Sequence, residues 1–374
     1  MKGVIAHATL ALIGLVLAYQ TWTRKPEDDV PAASDVTIAQ CSADAISAIR
    51  LETPTHFVDV EPRRQKNDTA YWITSRRKAT KDMGPAPGDG VKDEAMAAQS
   101  KVGDPTVPKR FLANAAFLDY LKRMTPLRAA RSLGELPKGK LADFGLDKIG
   151  TRITLTCGGK VTELEIGERT FGTGQRYVRD AKTKAAYLFD DSFVSDLQAV
   201  IFKFMQNDVH AFKLDEVDEV TVLAKNAQKR LLHRDKAVAD HSTWVDASAP
   251  TTRNELYSNW FSRLSRLRVK DYLPDGADPG SDLASDKAAA AAATGETTPV
   301  MTLDYMIDGK PKGKLELVRV GEGAVAHYYA RTETTRNWVT VYDATAKDIE
   351  SDVGMVVGVD EAPAAPAPAV TSPH

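Results

Sequence analysis

Cysteine is nearly missing from this chain. Cys41 and Cys157 are the 2 cysteines among 374 residues, too few for a disulfide framework or a four-cysteine zinc site. They can pair if their compartment oxidises them and the fold brings their Cα atoms within about 6 Å. Two separate, partly buried thiols are the commoner arrangement and the one expected here. An excess of one charge is also lacking: Lys+Arg 49 against Asp+Glu 51 leaves a net charge of -2, which argues against nucleic acid as a partner. Phosphate-binding glycine loops are missing too. Gly172-Thr173-Gly174 has no third glycine and runs into a strand pattern, so it reads as a hairpin turn. Without a Gly-Lys-Ser/Thr loop the chain would not be the ATPase of a transporter.

The residues of hydrolytic chemistry are equally sparse. His7, His56, His210, His233, His241, His327 and His374 are scattered, and none has the helical spacing with glutamate that zinc hydrolases use. His233 and His241 flank a charged turn and read as loop histidines. The acidic run Asp215 to Glu219 has no glycine for a calcium loop and reads as a solvated turn. Glu163, Glu165 and Glu168 read as the polar side of a strand. No serine sits in a nucleophile elbow. No catalytic residue, metal ligand or cofactor is expected, and the chain is read as not an enzyme.

One long apolar run is present. Gly3 to Trp22 can span about 30 Å as a helix, the thickness of a bilayer core, with Tyr19 and Trp22 placed for the interface. A cleaved signal peptide would need a small-x-small site, and Leu17-Ala18-Tyr19-Gln20 is a poor one. Residues 1–25 are therefore expected to be an uncleaved single-pass anchor in a bacterial inner membrane, with the body in the periplasm. Three other stretches have the composition of unfolded chain: 81–109, 275–298 and the tail 359–374.

Between them a pattern occurs twice. Strand-like runs at Ile46 to Leu51, His56 to Glu61 and Tyr71 to Thr74 precede a helix expected from about Lys109 to Leu133, interrupted at Pro126. Runs at Val220 to Leu223, Lys229 to Arg234 and Thr243 to Val245 precede a helix expected from about Arg253 to Val269. Phe117, Tyr120, Leu121, Met124, Leu127 and Arg128 recur 140 positions later as Tyr257, Trp260, Phe261, Leu264, Leu267 and Arg268. Trp72 and Trp244 lie 172 apart, so the first copy holds 32 extra residues, close to the length of the 81–109 insert. A second pattern of short strands and a helix runs from 151 to 206 and from 301 to 355, with Leu164-Glu165-Ile166 matching Leu315-Glu316-Leu317 and Tyr177-x-Arg179 matching Tyr329-x-Arg331. The expected fold is α+β: tandem, duplicated small antiparallel β-sheet-plus-helix units behind one transmembrane helix. The units are placed at 40–147 (A1), 148–210 (B1), 211–274 (A2) and 299–358 (B2), with 275–298 as a linker.

The segment Leu141 to Leu146, the strand Leu164-Glu165-Ile166-Gly167-Glu168 and Tyr177-Val178-Arg179 resemble a bacterial family known as domain of unknown function 4340. The likeness covers roughly residues 40 to 355, with the 81–109 insert as a departure from a compact member. It implies tandem β-rich repeats behind a membrane helix, in an extracytoplasmic accessory protein of ABC-type export systems of the gliding kind. It supplies no catalytic residues.

The expected function is thus a non-enzymatic accessory or scaffold subunit whose partners are integral-membrane transporter or envelope proteins, with the membrane itself met through residues 3–22. An envelope hydrolase acting on glycan or peptide and a periplasmic ligand-binding module are the alternatives. Phe117, Tyr120, Arg128, Tyr257, Trp260 and Arg268 are the candidate partner surface: the aromatic stripes are expected first to pack on their own sheets and the basic flanks to be solvated, and docking to an acidic partner or anionic headgroups is the alternative.

Overall fold

A computed structural model describes residues 35–65, 68–78, 108–236, 243–285 and 297–360. The apolar run 3–22, residues 81–107 of the insert, 286–296 and the tail from 361 lie outside the described residues, as does His241. Among the described residues no helix is long and apolar enough to cross a membrane.

The chain opens with strands β1 (Val36–Ala39), β2 (Ile46–Glu52), β3 (His56–Gln65), β4 (Asp68–Arg77) and β5 (Lys109–Leu112). Helix α1 (Ala115–Met124) leads to β6 (Leu127–Ala129), β7 (Arg131–Glu135), β8 (Thr151–Cys157), β9 (Lys160–Arg169), β10 (Gln175–Asp180) and β11 (Ala185–Asp190). After α2 (Ser192–Gln198) and α3 (Val200–Phe204) come β12 (Glu219–Ala224), β13 (Ala227–Arg234) and β14 (Thr243–Asp246). Helix α4 (Glu255–Leu264), β15 (Val269–Tyr272), β16 (Thr298–Ile307), β17 (Lys310–Val320), β18 (His327–Thr332), β19 (Val339–Val341) and α5 (Asp343–Val357) complete it.

Contacts divide the chain into two units, 1–54 with 119–198 and 55–118 with 199–374. In the first, six antiparallel strands run in the order β2-β8-β9-β10-β11-β7, and β1 pairs with β6. In the second, eight antiparallel strands run β14-β13-β12-β16-β17-β18-β19-β15, and β3, β4 and β5 form antiparallel neighbours. The expected small sheet-plus-helix units are overturned. The described residues are mostly antiparallel sheet, 46% strand and 24% helix, in three sheets. The physical reason is edge pairing: β12 bonds to β16 and β2 to β8, so what reads as the end of one unit is the middle of a larger sheet, and unpaired edges are removed.

The local code is nonetheless visible. In β8 Ile153 and Leu155 are buried between exposed Arg152 and partly exposed Thr154 and Thr156, the period of two that a sheet demands. The β8–β9 turn is Gly158-Gly159 and the β16–β17 turn Asp308-Gly309, all four with positive φ, the geometry of a tight two-residue hairpin. On α4, Tyr257, Trp260, Phe261 and Leu264 are buried at helical spacing, and Asn254 caps the helix by accepting the Leu256 N–H at 3.0 Å.

The two units share more than strand order. In the first, Tyr120 donates to the Phe193 carbonyl of α2 at 2.7 Å, and Arg123 pairs with Asp196 at 2.8 Å. In the second, Trp260 donates to the Ile349 carbonyl of α5 at 3.1 Å, and Arg263 pairs with Asp352. Donor and cation stand three residues apart in both copies, and so do the two acceptors. A second latch is likewise doubled: Arg179 Nε meets Glu165 at 2.6 Å, and Arg331 Nη2 meets Glu316 at 2.5 Å. The first ion pair is 13% and 10% exposed and the second 46% and 26%, so the first acts in a low-dielectric setting and the second is screened by water.

The residues that carry the family likeness touch one another. Phe144 packs edge-on against Tyr177 at 4.8 Å, and Leu146 is 1% exposed. Gly145 is left-handed (φ 62°) and lies against Glu168, while Gly167 faces the Phe144 carbonyl with a side chain of Leu146 only 3.0 Å from where a Cβ would stand. Both glycines are needed because the turn and the strand approach too closely for a side chain.

Residues 275–285, read from composition as unfolded linker, are folded. Leu283 is buried with Leu273, Val318, Val320 and Tyr329, and the Tyr329 hydroxyl donates to Asp282 at 2.9 Å. One leucine and a few specific polar bonds order a segment whose average composition is hydrophilic.

Removing the aromatic latches will test them. Tyr120→Phe strands the Phe193 carbonyl and is expected to cost about 1–3 kcal/mol, while Trp260→Ala also opens a cavity and is expected to cost about 3–5 kcal/mol. Chemical denaturation is expected to show a lower midpoint for both, with Trp260→Ala the worse; equal, small shifts would mean that neither helix pair depends on its latch.

Candidate functional site

The proposed partner surface divides cleanly. Phe117, Tyr120, Tyr257 and Trp260 are 0%, 1%, 7% and 0% exposed, so the aromatic stripes are core. Phe117 packs on Tyr71 and Phe204 at 5.5 and 5.2 Å, and Trp260 on Phe261 at 5.2 Å. A helix lying on a sheet turns its apolar face inward, and that face is where these side chains lie. Arg128 and Arg268 are exposed. Each follows its helix and pairs by backbone with a short upstream segment: Arg128 with Thr37 of β1, Arg268 with Asp208 in an isolated bridge. Arg268 also pairs with Asp208 through its side chain at 3.2 Å and donates to the Ser265 and Leu267 carbonyls.

Beside Arg268, in the second unit, lies an open cleft of about 630 Å³. One wall is the irregular segment 208–215, the other the end of α4 and the residues after it, 264–268. Val209, Phe212, Leu264 and Leu267 supply apolar surface, and Asp208, Lys213, Asp215 and Arg268 supply charge of both signs.

Within this wall His210 is 6% exposed and holds two partners. Its Nδ1 is 3.3 Å from Glu333 Oε1 and its Nε2 3.2 Å from the Tyr305 hydroxyl. The ring stacks on Phe212 at 4.7 Å and meets Tyr305 edge-on at 4.7 Å. Burial disfavours ionised Glu333, but donation by His210 and by the Lys314 N–H more than offsets it and lowers its pKa. Burial, and then the Glu333 charge, push the Tyr305 phenol well above its usual range. The imidazole thus bridges the carboxylate at Nδ1 and the Tyr305 hydroxyl at Nε2. A carboxylate–histidine–hydroxyl chain is a proton-relay geometry. Tyr305 is 1% exposed, so its oxygen is presented to the core and the chain acts as a packing clasp. Thr332 Oγ1 adds a bond to the Val209 carbonyl, fixing the segment from a second side. Sequence reading passed over His210 because Tyr305 and Glu333 reach it only through the sheet.

A second polar cluster in the same unit centres on Asp275. It accepts from Arg63 at 2.6 Å, Arg110 at 2.7 Å and Asn337 at 2.7 Å. Burial opposes its charge, but these donors hold the carboxyl far below the usual carboxylate range. Arg63 and Arg110 also lie over the Trp72 ring, 5.5 and 4.8 Å from its centre, a cation–π arrangement. Asp218, in the acidic run read as a solvated turn, is bound by Lys236 and by the Asp308 N–H at 2.6 Å, which lower its pKa. His233 stacks on Trp244 at 4.5 Å, and Trp244 on Phe261 at 3.7 Å. Gly172 and Gly174 form the turn between β9 and β10, both with positive φ. Among the described residues no group of three His, Cys, Asp or Glu is placed to hold a metal ion.

In the first unit the expectation for the cysteines fails. Cys41 and Cys157 form a disulfide, with Cα atoms 6.0 Å apart and 116 positions between them in sequence. Closing so long a loop restricts the unfolded chain by about 4–5 kcal/mol on the chain-entropy account. The spacing carried no sign of it, because β2 and β8 meet only in the folded sheet.

Residues 113–290, a little under half of the chain, match the model of the family described as "Domain of unknown function (DUF4340)". That supports the family to which the sequence resemblance points; an association with ABC transport is not part of the match. No curated protein and no solved structure matches the chain.

Two measurements follow from the clasp and its neighbours. At Gly313 a Cβ would stand 2.7 Å from Glu333 and from Phe212, so Gly313→Ala is expected to lower stability by about 1–3 kcal/mol through overpacking. An unchanged melting temperature would mean the clasp gives way freely. Asp246 accepts from Lys229 at 2.7 Å and from the Ser248 N–H at 2.8 Å, which brings its pKa from 3.8 to about 2. Its folded value is depressed, so its stabilisation is present above the unfolded pKa and lost as pH falls from about 4 through 2. Asp246→Asn is expected to flatten that part of the acid-unfolding curve; a curve of unchanged steepness would exclude the coupling.

Proposed function

We propose that this chain is a non-enzymatic, membrane-anchored accessory or scaffold subunit of an ABC-type transport or cell-envelope machine, with its folded residues in the periplasm. The observation that carries the reading is the Cys41–Cys157 disulfide. Structural disulfides persist in oxidising compartments, and this one lies downstream of an N-terminal run of membrane-spanning length, Gly3 to Trp22. The polar clusters add support for a scaffold. His210, Glu165, Asp275 and Asp352 hold structural partners at well-defined geometry, which stiffens the sheets. The transport association rests on the family resemblance and on the anchor.

A second reading, a ligand-binding module, is favoured by the cleft of about 630 Å³ between segment 208–215 and residues 264–268. Mixed charge around an apolar floor suits an amphipathic ligand better than a small ion.

Extraction of the native chain in mild detergent, followed by identification of co-eluting proteins, tests the first reading. The expected result is a multi-span membrane protein that co-elutes with the full chain and is lost when residues 3–22 are removed. A chain that elutes alone and turns over glycan or peptide would overturn the proposal.

A further inference from the structure

In each unit a short segment is laid across the residue that follows a helix, and the two segments correspond position by position. Thr37 pairs with Arg128 as Asp208 pairs with Arg268. The step from 37 to 208 is 171 and from 128 to 268 is 140. The same step of 171 relates Leu51, paired with Ile153, to Val222, paired with Leu303. Carried along the chain, it sets Ala39 against His210 and Cys41 against Phe212. The step of 150 from Ile153 to Leu303 sets Leu155 against Tyr305 and Cys157 against Ile307.

The two straps are therefore the same element fastened in different ways. In the second unit the strap is pinned by packing and hydrogen bonds: Val209 and His210 are each 6% exposed, Thr332 bonds the Val209 carbonyl, and Phe212 packs on Tyr305 at 5.3 Å. In the first, β1 has three pairings to β6 with an irregularity between Thr37 and Ala39, and none of its four residues is fully buried. Its strong fastening is the disulfide, which stands at the position of Phe212 and whose two cysteines are half-exposed. Past it the chain is held firmly. The Gly158 N–H donates to the Ala45 carbonyl at 2.8 Å, and Ile46, Ile49 and Leu51 are at most 1% exposed.

We propose that the Cys41–Cys157 disulfide is a redox-operated clasp on the strap 36–41, which is released from β6 on reduction while β2 and the sheet behind it stay folded. A dithiol reductant transfers two electrons and two protons to the S–S bond. Cys41 and Cys157 become thiols, and the dithiol leaves as a disulfide. Release frees chain from Val36 to Cys41, about 20 Å when extended. That consequence rests on the anchor reading above: with residues 3–22 in a membrane, the oxidised form holds the body close and the reduced form lets it stand off, so tether length responds to the thiol–disulfide balance of the compartment.

Amide hydrogen exchange on the full chain in mild detergent, with and without dithiothreitol, tests the clasp. In the oxidised chain residues 36–39 and 127–129 are expected to be protected. After reduction their exchange is expected to quicken by about two orders of magnitude, as for a segment near the low end of local stability. The β2–β8 ladder and the strap 207–212 are expected to remain unchanged. The double variant Cys41→Ser, Cys157→Ser is expected to match the reduced chain without any reductant. Unchanged protection at 36–39 would overturn the clasp, and so would loss of the β2–β8 ladder together with the strap, since the bond would then hold the whole unit. The readout is internal to the chain, so it stands or falls separately from whether the chain is anchored or co-elutes with a transporter.

Discussion

Backbone pairing between β12 and β16, and between β2 and β8, sets the form of everything else in the two units. Each strand of such a pair presents a full row of N–H and C=O groups that must be satisfied once buried, and each finds its partner in a strand far along the chain. Val220 faces Tyr305 and Val222 faces Leu303, while Ile49 faces Leu155 and Leu51 faces Ile153. All eight side chains are at most 1% exposed. With the rows joined, half-sheets that would leave open edges become long antiparallel sheets, and helices α1 with α2 and α4 with α5 are left to cover faces. The latches from Tyr120 and Trp260 follow from that geometry, because a buried hydroxyl or indole N–H needs an acceptor and the nearest available one is a carbonyl of the neighbouring helix.

The latches also distinguish what was copied from what diverged. Aromatic donor, cation three residues on, carbonyl and carboxylate three residues apart: this set recurs intact on both helix pairs, although the donor is Tyr120 in one and Trp260 in the other. The β-strand ion pair recurs too, buried as Arg179 with Glu165 and half-exposed as Arg331 with Glu316. The straps differ most. A covalent bond fastens one, at the position where Phe212 packs on Tyr305 in the other, and the histidine clasp of the second strap stands two residues before that position. A disulfide and a stacked, hydrogen-bonded imidazole answer the same demand, which is to hold a segment that has too little apolar surface to hold itself.

Much of the local structure was legible because it depends on local rules. The helix stripe Tyr257, Trp260, Phe261, Leu264 obeys the 3.6-residue period, and the turn at Gly172-Thr173-Gly174 needs residues tolerant of positive φ. Helix ends were less legible. The first helix spans Ala115–Met124 and not 109 to 133, because Lys109–Leu112 is taken into the sheet by β4, a demand no helical period records. The segment after 275 was misread for a related reason: composition averages over residues, whereas Leu283 and Asp275 act one at a time. The aromatic stripe is core, as its helical period and apolar character lead one to expect, and only the arginines beside it, Arg128 and Arg268, are left at the surface.

The candidate site was the least legible part. His210, Tyr305 and Glu333 are separated by 95 and 123 positions from His210, and nothing near His210 in the chain marks it out. By itself the sequence determined the helix stripes and hairpin turns, the internal repetition at a step of 140, the near balance of charge and the single apolar run at the start, all of which are fixed by neighbours along the chain. Only the tertiary structure decided that the half-sheets fuse and that Cys41 bonds to Cys157. Those outcomes depend on hydrogen-bonding edges and side chains that meet across more than a hundred residues, where no local period or spacing carries the information.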